Sequence, residues 1–243
     1  MALEVFNRQE LKFIIDHQQY DRIRESIAPS MRLDKHNKDG KTYRLHNLYI
    51  DTSDHTLIRN SLTKPIYKEK LRLRSYTGFT ANDPVYLEIK KRYKRITNKR
   101  RTQLPFREAL AFIESGHYNG NRDTRDTQVI REFETILSQA DYFPKTYITY
   151  DRLALHSKDE ATDLRITFDT NLTARRYDQP HTTSLLQEHR IIMELKSIQN
   201  IPLWLVAVLA DSGVHKQSFS KYGQEYISYL QSEPLTIKGA KHA

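Results

Sequence analysis

The sequence predicts an α+β fold, an antiparallel β-barrel tunnel with a charged lumen and helices packed outside. Three observations predict it. At least six strand-like segments carry a cation on their polar face: Lys12, Arg72 with Arg74, Lys90, Arg152, Arg165 and Lys196. Four of those faces also carry a carboxylate: Glu10, Glu88, Asp169 and Glu194. Several helix-like segments have apolar stripes that need a surface to cover. A sheet closed on itself answers all three, with its apolar side toward the helices, its charged side inward and no exposed edge. A lumen lined mainly by Lys and Arg has to hold an anion, because unpaired buried charge is very costly. The competing arrangement is an ordinary α+β sheet whose charges face water.

Composition narrows the partner without choosing it. Lys plus Arg is 39 against 30 for Asp plus Glu, a formal charge of +9, which favours nucleic acid, nucleotide, phosphate chains or an acidic membrane. The absence of cysteine excludes disulfides and thiolate metal sites. With 7 glycines, and neither GxxxxGK[ST] nor GxGxxG, a Gly-rich phosphate loop is disfavoured. The longest apolar run, Ile201 to Ala210, is too short to span a bilayer, and the N-terminus lacks a signal-peptide core. These features predict a soluble cytoplasmic protein with one domain over 1–232 and a disordered tail over 233–243.

Phe6 to Asp16 reads as a strand, with Leu11, Phe13 and Ile15 alternating against Glu10, Lys12 and Ile14. A helix follows from about Gln18 to Ile27, ended by Pro29. Lys35 to Lys41 is a charged loop, and Tyr43 to Asp51 is a strand. Ser53 or Asp54 is positioned to cap a short helix through about Asn60. After Pro65, Lys68 to Tyr76 places Lys70, Arg72 and Arg74 on one face and Leu71 and Leu73 on the other.

Asn82-Asp83-Pro84 is a turn, and Val85 to Arg92 is a strand with Glu88, Lys90 and Arg92 in phase. Tyr93 to Arg101 reads as a densely basic stretch, a solvated loop or, beside strands of this kind, the guard of an entrance for anions. Helices are expected over Pro105 to Ser115 and over Thr127 to Ala140, separated by a polar loop. Pro144 opens a strand region in which Tyr150 and Arg152 share a face. Leu164 to Thr170 alternates Arg165, Thr167 and Asp169 against Ile166 and Phe168. Gln187 to Ser197 sets Arg190, Glu194 and Lys196 against Ile191, Met193 and Leu195. Ile201 to Ala210 reads as a buried helix, and an amphipathic helix follows Ser218 to Tyr222 as far as Leu230. Tyr49, Tyr147 and Trp204 are expected as core aromatics, and the histidines show no ligand spacing.

Eight short motifs occur in order along nearly the whole chain: Glu10-Leu-Lys-Phe13, Tyr49-Ile-Asp-Thr52, Lys70-Leu-Arg-Leu-Arg74, Leu87-Glu-Ile-Lys-Lys91, Tyr150-Asp-Arg152, Arg165-Ile-Thr-Phe-Asp169, Glu194-Leu-Lys196 and Ser220-Lys-Tyr222. In these the chain resembles the catalytic domain of the vacuolar transporter chaperone (VTC) polyphosphate polymerases, within the triphosphate tunnel metalloenzymes, in a stand-alone bacterial-type form. The resemblance implies that Lys12, Arg72, Arg74, Lys90, Arg152 and Arg165 hold the triphosphate and the growing chain. It implies phosphate contacts from Tyr150, Ser220 and Lys221, and a further basic tunnel residue at Lys99. Lys70 and Lys196 are taken as substrate-binding cations. Glu194 matches the family's metal-binding glutamate. Glu10 and Glu88 are secondary metal or ordering groups, with pairing to Lys12 and Lys90 as their alternative. Asp169 is read as structural.

The implied cofactor is Mn²⁺ or Mg²⁺, which suits oxygen ligands. The implied substrates are ATP and inorganic polyphosphate, with transfer of the γ-phosphoryl group of ATP to the chain. A triphosphate hydrolase of the same superfamily is the first alternative. Such relatives begin with an ExExK strand, whereas this chain has Arg8-Gln-Glu10-Leu-Lys12, which leaves fewer acids to activate water. The others are a non-catalytic polyphosphate- or nucleotide-binding module and nucleic-acid binding, for which no reader motif is present.

Overall fold

In the computed structural model, residues 5–6, 9–94, 96–120, 127–198 and 200–232 are described. The expected tail over 233–243, Arg8, Arg95 and part of the expected 117–126 loop lie outside them. The alternating segments pair into one antiparallel sheet. In chain order its strands are β1 (Val5–Phe6), β2 (Gln9–Ile15), β3 (Met31–Leu33), β4 (Tyr43–Thr52), β5 (Tyr67–Ser75), β6 (Pro84–Tyr93), β7 (Ile96–Pro105), β8 (Tyr142–Ser157), β9 (Leu164–Arg176), β10 (Thr182–Ser184) and β11 (Ile191–Ser197). The spatial order is β1-β7-β6-β5-β4-β8-β9-β11-β2, with β10 beside β9 and β3 beside β8.

The ladder is not closed, so "barrel" describes the shape loosely. The two ends of the order, β1 and β2, are nevertheless consecutive in the chain, and side chains meet across the gap. Lys90 Nζ of β6 lies 3.6 Å from Glu10 Oε2 of β2. The sheet is curled far enough for β2, at one margin, to exchange an ion pair with β6, two strands in from the other.

Because the strands alternate, the two faces separate cleanly. On the convex side β4 to β7 bury Leu48, Leu71, Leu73, Leu87 and Ile89 beneath helices α3 (Phe106–Ser115) and α4 (Thr127–Leu137). There Tyr147 is partly buried against the core. A second convex cluster joins Phe13, Ile15, Ile166, Phe168 and Met193 to α1 (His17–Ile27) and α5 (Leu203–Asp211). The concave side carries the charged rows. It also holds a smaller apolar cluster of Leu45, Tyr49, Ile148, Ile192, Tyr222 and Tyr226, supplied partly by α6 (Lys221–Ser232). The helices are therefore not all outside: α6 sits in the mouth of the curl, where Tyr222 stacks on Tyr49 at 4.5 Å.

Helix ends follow local chemistry. Asp16 and Gln19 form a capping box, with Gln19 N–H donating to Asp16 Oδ1 at 2.8 Å, so α1 starts one residue before the expected Gln18. Gly116 closes α3 at φ +73°, a conformation that suits glycine. The short helix α2 (Thr56–Leu62) is not capped at its N-cap position by Ser53 or Asp54. Instead the fully buried Asp51 accepts from the backbone N–H groups of Leu57 (2.8 Å) and Ile58 (3.0 Å). It also accepts from the Tyr222 hydroxyl (3.1 Å), tying the end of β4 to both α2 and α6.

Three expectations are corrected. The basic stretch from Tyr93 is largely strand β7, paired with β6 so that Lys99 faces Lys90 and Arg101 faces Glu88. Arg190 lies before β11 and is exposed. Helix α5 is only half buried: Leu205 and Leu209 enter the core, whereas Leu203 is 85% exposed and Trp204 37% exposed, so Trp204 is not a core aromatic. No helix among the described residues is long and apolar enough to cross a membrane.

Candidate active site in the curled sheet

The concave rows bring the expected site residues into one network. On β5, Arg72 Nε donates to Glu88 Oε2 at 2.7 Å and its Nη1 reaches the Tyr49 hydroxyl at 3.4 Å. Arg74 Nε donates to Asn47 Oδ1 at 3.0 Å and its Nη2 to the Tyr150 hydroxyl at 3.4 Å. Lys99 Nζ lies 2.6 Å from Glu88 Oε1, as an ion pair rather than an aligned hydrogen bond. Glu88 is thus caged by cations. Burial alone would raise its carboxyl, but Arg72, Arg74 and Lys99 hold it far below the usual carboxylate range.

A second group straddles the sheet margin. Lys12 Nζ stands 3.4 Å from both Glu10 Oε1 and Glu194 Oε1 and donates to the Phe219 carbonyl at 2.9 Å. Lys196 Nζ lies 2.9 Å from Glu194 Oε2. Burial opposes ionisation of Glu194, but Lys196, Lys12, Lys221 and Arg152 hold it well below the ordinary range, so it is a carboxylate at neutral pH.

The third group centres on Asp169, which is fully buried. Arg152 grips it with both prongs, Nε to Oδ1 at 2.6 Å and Nη2 to Oδ2 at 2.7 Å, and Lys221 Nζ adds a 2.7 Å contact. Lys221 also lies 4.5 Å above the Tyr150 ring. Burial would raise the Tyr150 phenol, but Arg152, Arg74 and Lys221 pull it down to about 8.

Lys70 donates to Ser220 Oγ at 2.7 Å, and among the described residues no ion pair with a carboxylate reaches it. Burial, with Lys90, Lys12 and Lys68 adding repulsion, pulls its ammonium down to about 7. Arg165 lies on the same concave rows and donates to Asp34 Oδ2 at 3.2 Å. Its Nε and the neighbouring Thr167 Oγ1 are buried with no hydrogen-bond partner among the described residues. Thr167 is the register partner of Glu194. Buried polar atoms of this kind are ordinarily met by water or a ligand.

All fifteen expected site residues therefore lie on the concave side or on the α6 segment that enters it. Sequence reasoning missed Asn47, Asp34 and the anchoring weight of Asp169. It had Tyr49 as core only, whereas the ring is core and the hydroxyl faces Arg72. Among the described residues no group of three or more His, Asp or Glu side chains converges on one point. An ion such as Mg²⁺ needs no cage of that kind, since it is commonly held by one or two carboxylates together with phosphate oxygens. Glu194 and Glu10, each 3.4 Å from Lys12 Nζ, are the carboxylates that would hold it. A separate cavity of about 730 Å³ opens at the ends of β4, β8 and β9, but it sets His55, Lys145 and Arg176 against Glu114, Asp141 and Asp178 and has no cationic surplus.

The comparisons agree with this geometry. The model of the VTC domain family matches residues 7–230. No curated protein matches. A Bacillus halodurans protein provisionally named an adenylate cyclase superposes with a TM-score of 0.56 at 13% identity, covering 93% of this chain and 99% of its own. A similarly named Vibrio parahaemolyticus protein gives 0.52 at 12% identity, over 91% and 98%. At these identities the likeness shows the fold alone, the triphosphate-tunnel type. The family assignment rests on the match across almost the whole described chain: the protein belongs to the VTC domain family.

Proposed function

We propose that the protein is a polyphosphate polymerase, transferring the γ-phosphoryl group of ATP to the end of a growing inorganic polyphosphate chain. The observation that carries this reading is the cationic surplus inside the curl. Lys12, Lys70, Arg72, Arg74, Lys90, Lys99, Arg152, Arg165, Lys196 and Lys221 face Glu10, Asp34, Glu88, Asp169 and Glu194. Such a surplus in a poorly solvated space suits a linear polyanion.

The Arg residues offer fixed forks of donors to phosphate oxygens, and the Lys residues act as point charges. Arg72 and Arg74, locked by Glu88 and Asn47, and Arg152, locked by Asp169, are preorganised and need little rearrangement. The terminal phosphate oxygen of the acceptor attacks the γ-phosphorus, and the bond to the bridging oxygen of ADP breaks with its electron pair leaving on ADP. Lysines and arginines on either side neutralise the oxygens as charge redistributes. Glu194 and Glu10 would hold Mn²⁺ or Mg²⁺, which when bound supplies Lewis-acid neutralisation of the phosphate oxygens. Tyr150 and Ser220 orient the chain through their hydroxyls. The small number of acids disfavours water activation, which places the hydrolase reading second. Incubating the protein with ATP and Mn²⁺ and following products by phosphorus NMR and a stained gel tests the proposal. A ladder of chains plus ADP is expected, and orthophosphate plus ADP without chains would overturn it in favour of the hydrolase.

The lysine environment adds a pH signature. Lys70 is depressed to about 7, so between about 7 and 10.5 the unfolded chain binds more protons than the folded one. Stability of the free protein should therefore rise with pH across that window. A bound polyanion restores the ammonium, so binding takes up a proton and affinity falls as pH rises from about 7 to 9. Titrations with inorganic tripolyphosphate in buffers of different ionisation enthalpy measure both. Lys70→Arg should flatten the profile, and parallel profiles for variant and wild type would clear Lys70 of the role.

A further inference from the structure

The concave rows continue past their last cation. On β5 the row Lys70, Arg72, Arg74 runs on in phase to Tyr76, just beyond the strand. On β6 the row Lys90, Glu88 leads to Tyr86. Tyr43, the first residue of β4, is the register partner of Arg152. The rings meet: Tyr43 and Tyr76 lie 6.0 Å apart, and Tyr86 stands edge-on to Tyr76 at 6.1 Å. His36 from the preceding loop stacks on Tyr76 at 5.9 Å and 22°. Arg101, in phase with Lys99 on β7, places its guanidinium 4.5 Å over Tyr86. One end of the cationic rows is thus rimmed by an aromatic collar, whereas the other runs into Lys70, Lys12 and the α6 segment.

Such a rim is a poor phosphate site and a good stacking platform. Tyr76 is 41% exposed, so part of its ring surface is open at the edge of the polar cleft. Along β5 it lies four residues, roughly 13 Å, from Arg72, a span comparable with an extended nucleoside triphosphate.

We propose that the collar of His36, Tyr43, Tyr76 and Tyr86 is a nucleobase-stacking subsite, through which the protein selects a nucleoside triphosphate rather than a bare inorganic triphosphate as phosphoryl donor. This rests on the reading of the cationic rows as the phosphoryl-transfer site. The base lies against Tyr76, Arg101 contributes its planar face, and the phosphates run inward past Arg74 to Arg72. Stacking is tolerant of base identity because every base presents a π-face.

The test is calorimetric binding of ATP and of inorganic tripolyphosphate to the full chain, each with Mg²⁺, before and after Tyr76→Ala and Tyr86→Leu. Each substitution should weaken ATP by about tenfold and tripolyphosphate by less than about twofold. Tyr76→Trp should restore ATP affinity, which a merely structural role would not. Equal losses for the two ligands, or an unchanged ATP affinity, would overturn the collar while leaving the cationic site standing. A wild-type protein that binds neither ligand would remove the phosphoryl-transfer reading, and the collar with it.

Discussion

Glu194→Gln should lower metal-dependent ATP turnover by roughly a hundredfold or more while changing polyphosphate affinity no more than a few-fold. The side chain is 9% exposed and the amide has the same shape, so the fold has little to lose sterically. What disappears is a negative charge held between Lys12 at 3.4 Å and Lys196 at 2.9 Å. The site loses its best oxygen donor for a divalent ion, yet becomes one charge more cationic, which favours a polyanion. Turnover and binding therefore move apart, and a general loss of folding would not separate them. Spin resonance of added Mn²⁺, with tripolyphosphate present, supplies a readout independent of turnover. Glu10→Gln, at the second carboxylate, should cost about tenfold. If Glu194→Gln turns over ATP like the wild type, Glu194 is not the metal ligand. If it loses polyphosphate affinity in step with turnover, the residue orders the site rather than serving chemistry.

Much of this arrangement could be read from the chain because a strand commits every second side chain to one face. Lys70, Arg72 and Arg74 against Leu71 and Leu73 show both the strand and its two environments, and so do Glu194 and Lys196 against Met193 and Leu195. β7 escaped for the opposite reason. Ile96 to Arg101 has no apolar alternation, because one face looks into the charged curl and the other is covered partly by Glu132, which pairs with Arg100 at 3.0 Å. Its strand character comes from β6, a tertiary cause that local pattern does not carry. β3 and β10, three residues each, are too short for a period.

Other features depend on neighbours distant in sequence. Asp51 caps α2 from the end of a strand and is bonded by Tyr222, which lies 171 residues away. Tyr43, Tyr76 and Tyr86 sit near strand ends and read singly as ordinary strand aromatics. Only the register places them on one rim. The half-exposed α5 misleads because its sequence is apolar all round, which normally signals burial.

Asp169→Asn should destabilise the free protein by about 3 kcal/mol, lowering its melting temperature by roughly 6–12 °C. Asp169 looked structural as a strand-end acid, but its position explains a larger effect. It is completely buried and compensates two buried cations at once, Arg152 through a two-pronged pair and Lys221 through a 2.7 Å contact. The amide keeps the shape, returns one acceptor and turns an N–H donor toward donors, leaving both cations short of charge. Burial raises the Asp169 carboxyl, but Arg152 and Lys221 prevail and hold it below its ordinary value. Its contribution is thus fully present above about pH 4 and is lost as pH falls through the depressed value, so the gap between variant and wild type narrows in acid. An anion entering the curl can take over the task of the missing carboxylate. Saturating tripolyphosphate should therefore stabilise Asp169→Asn more than it stabilises the wild type. Denaturant titrations with and without tripolyphosphate measure both quantities. A variant as stable as the wild type would mean that water already screens Arg152 and Lys221. A stable difference that tripolyphosphate fails to reduce would mean that these two cations serve the fold and not the phosphate chain.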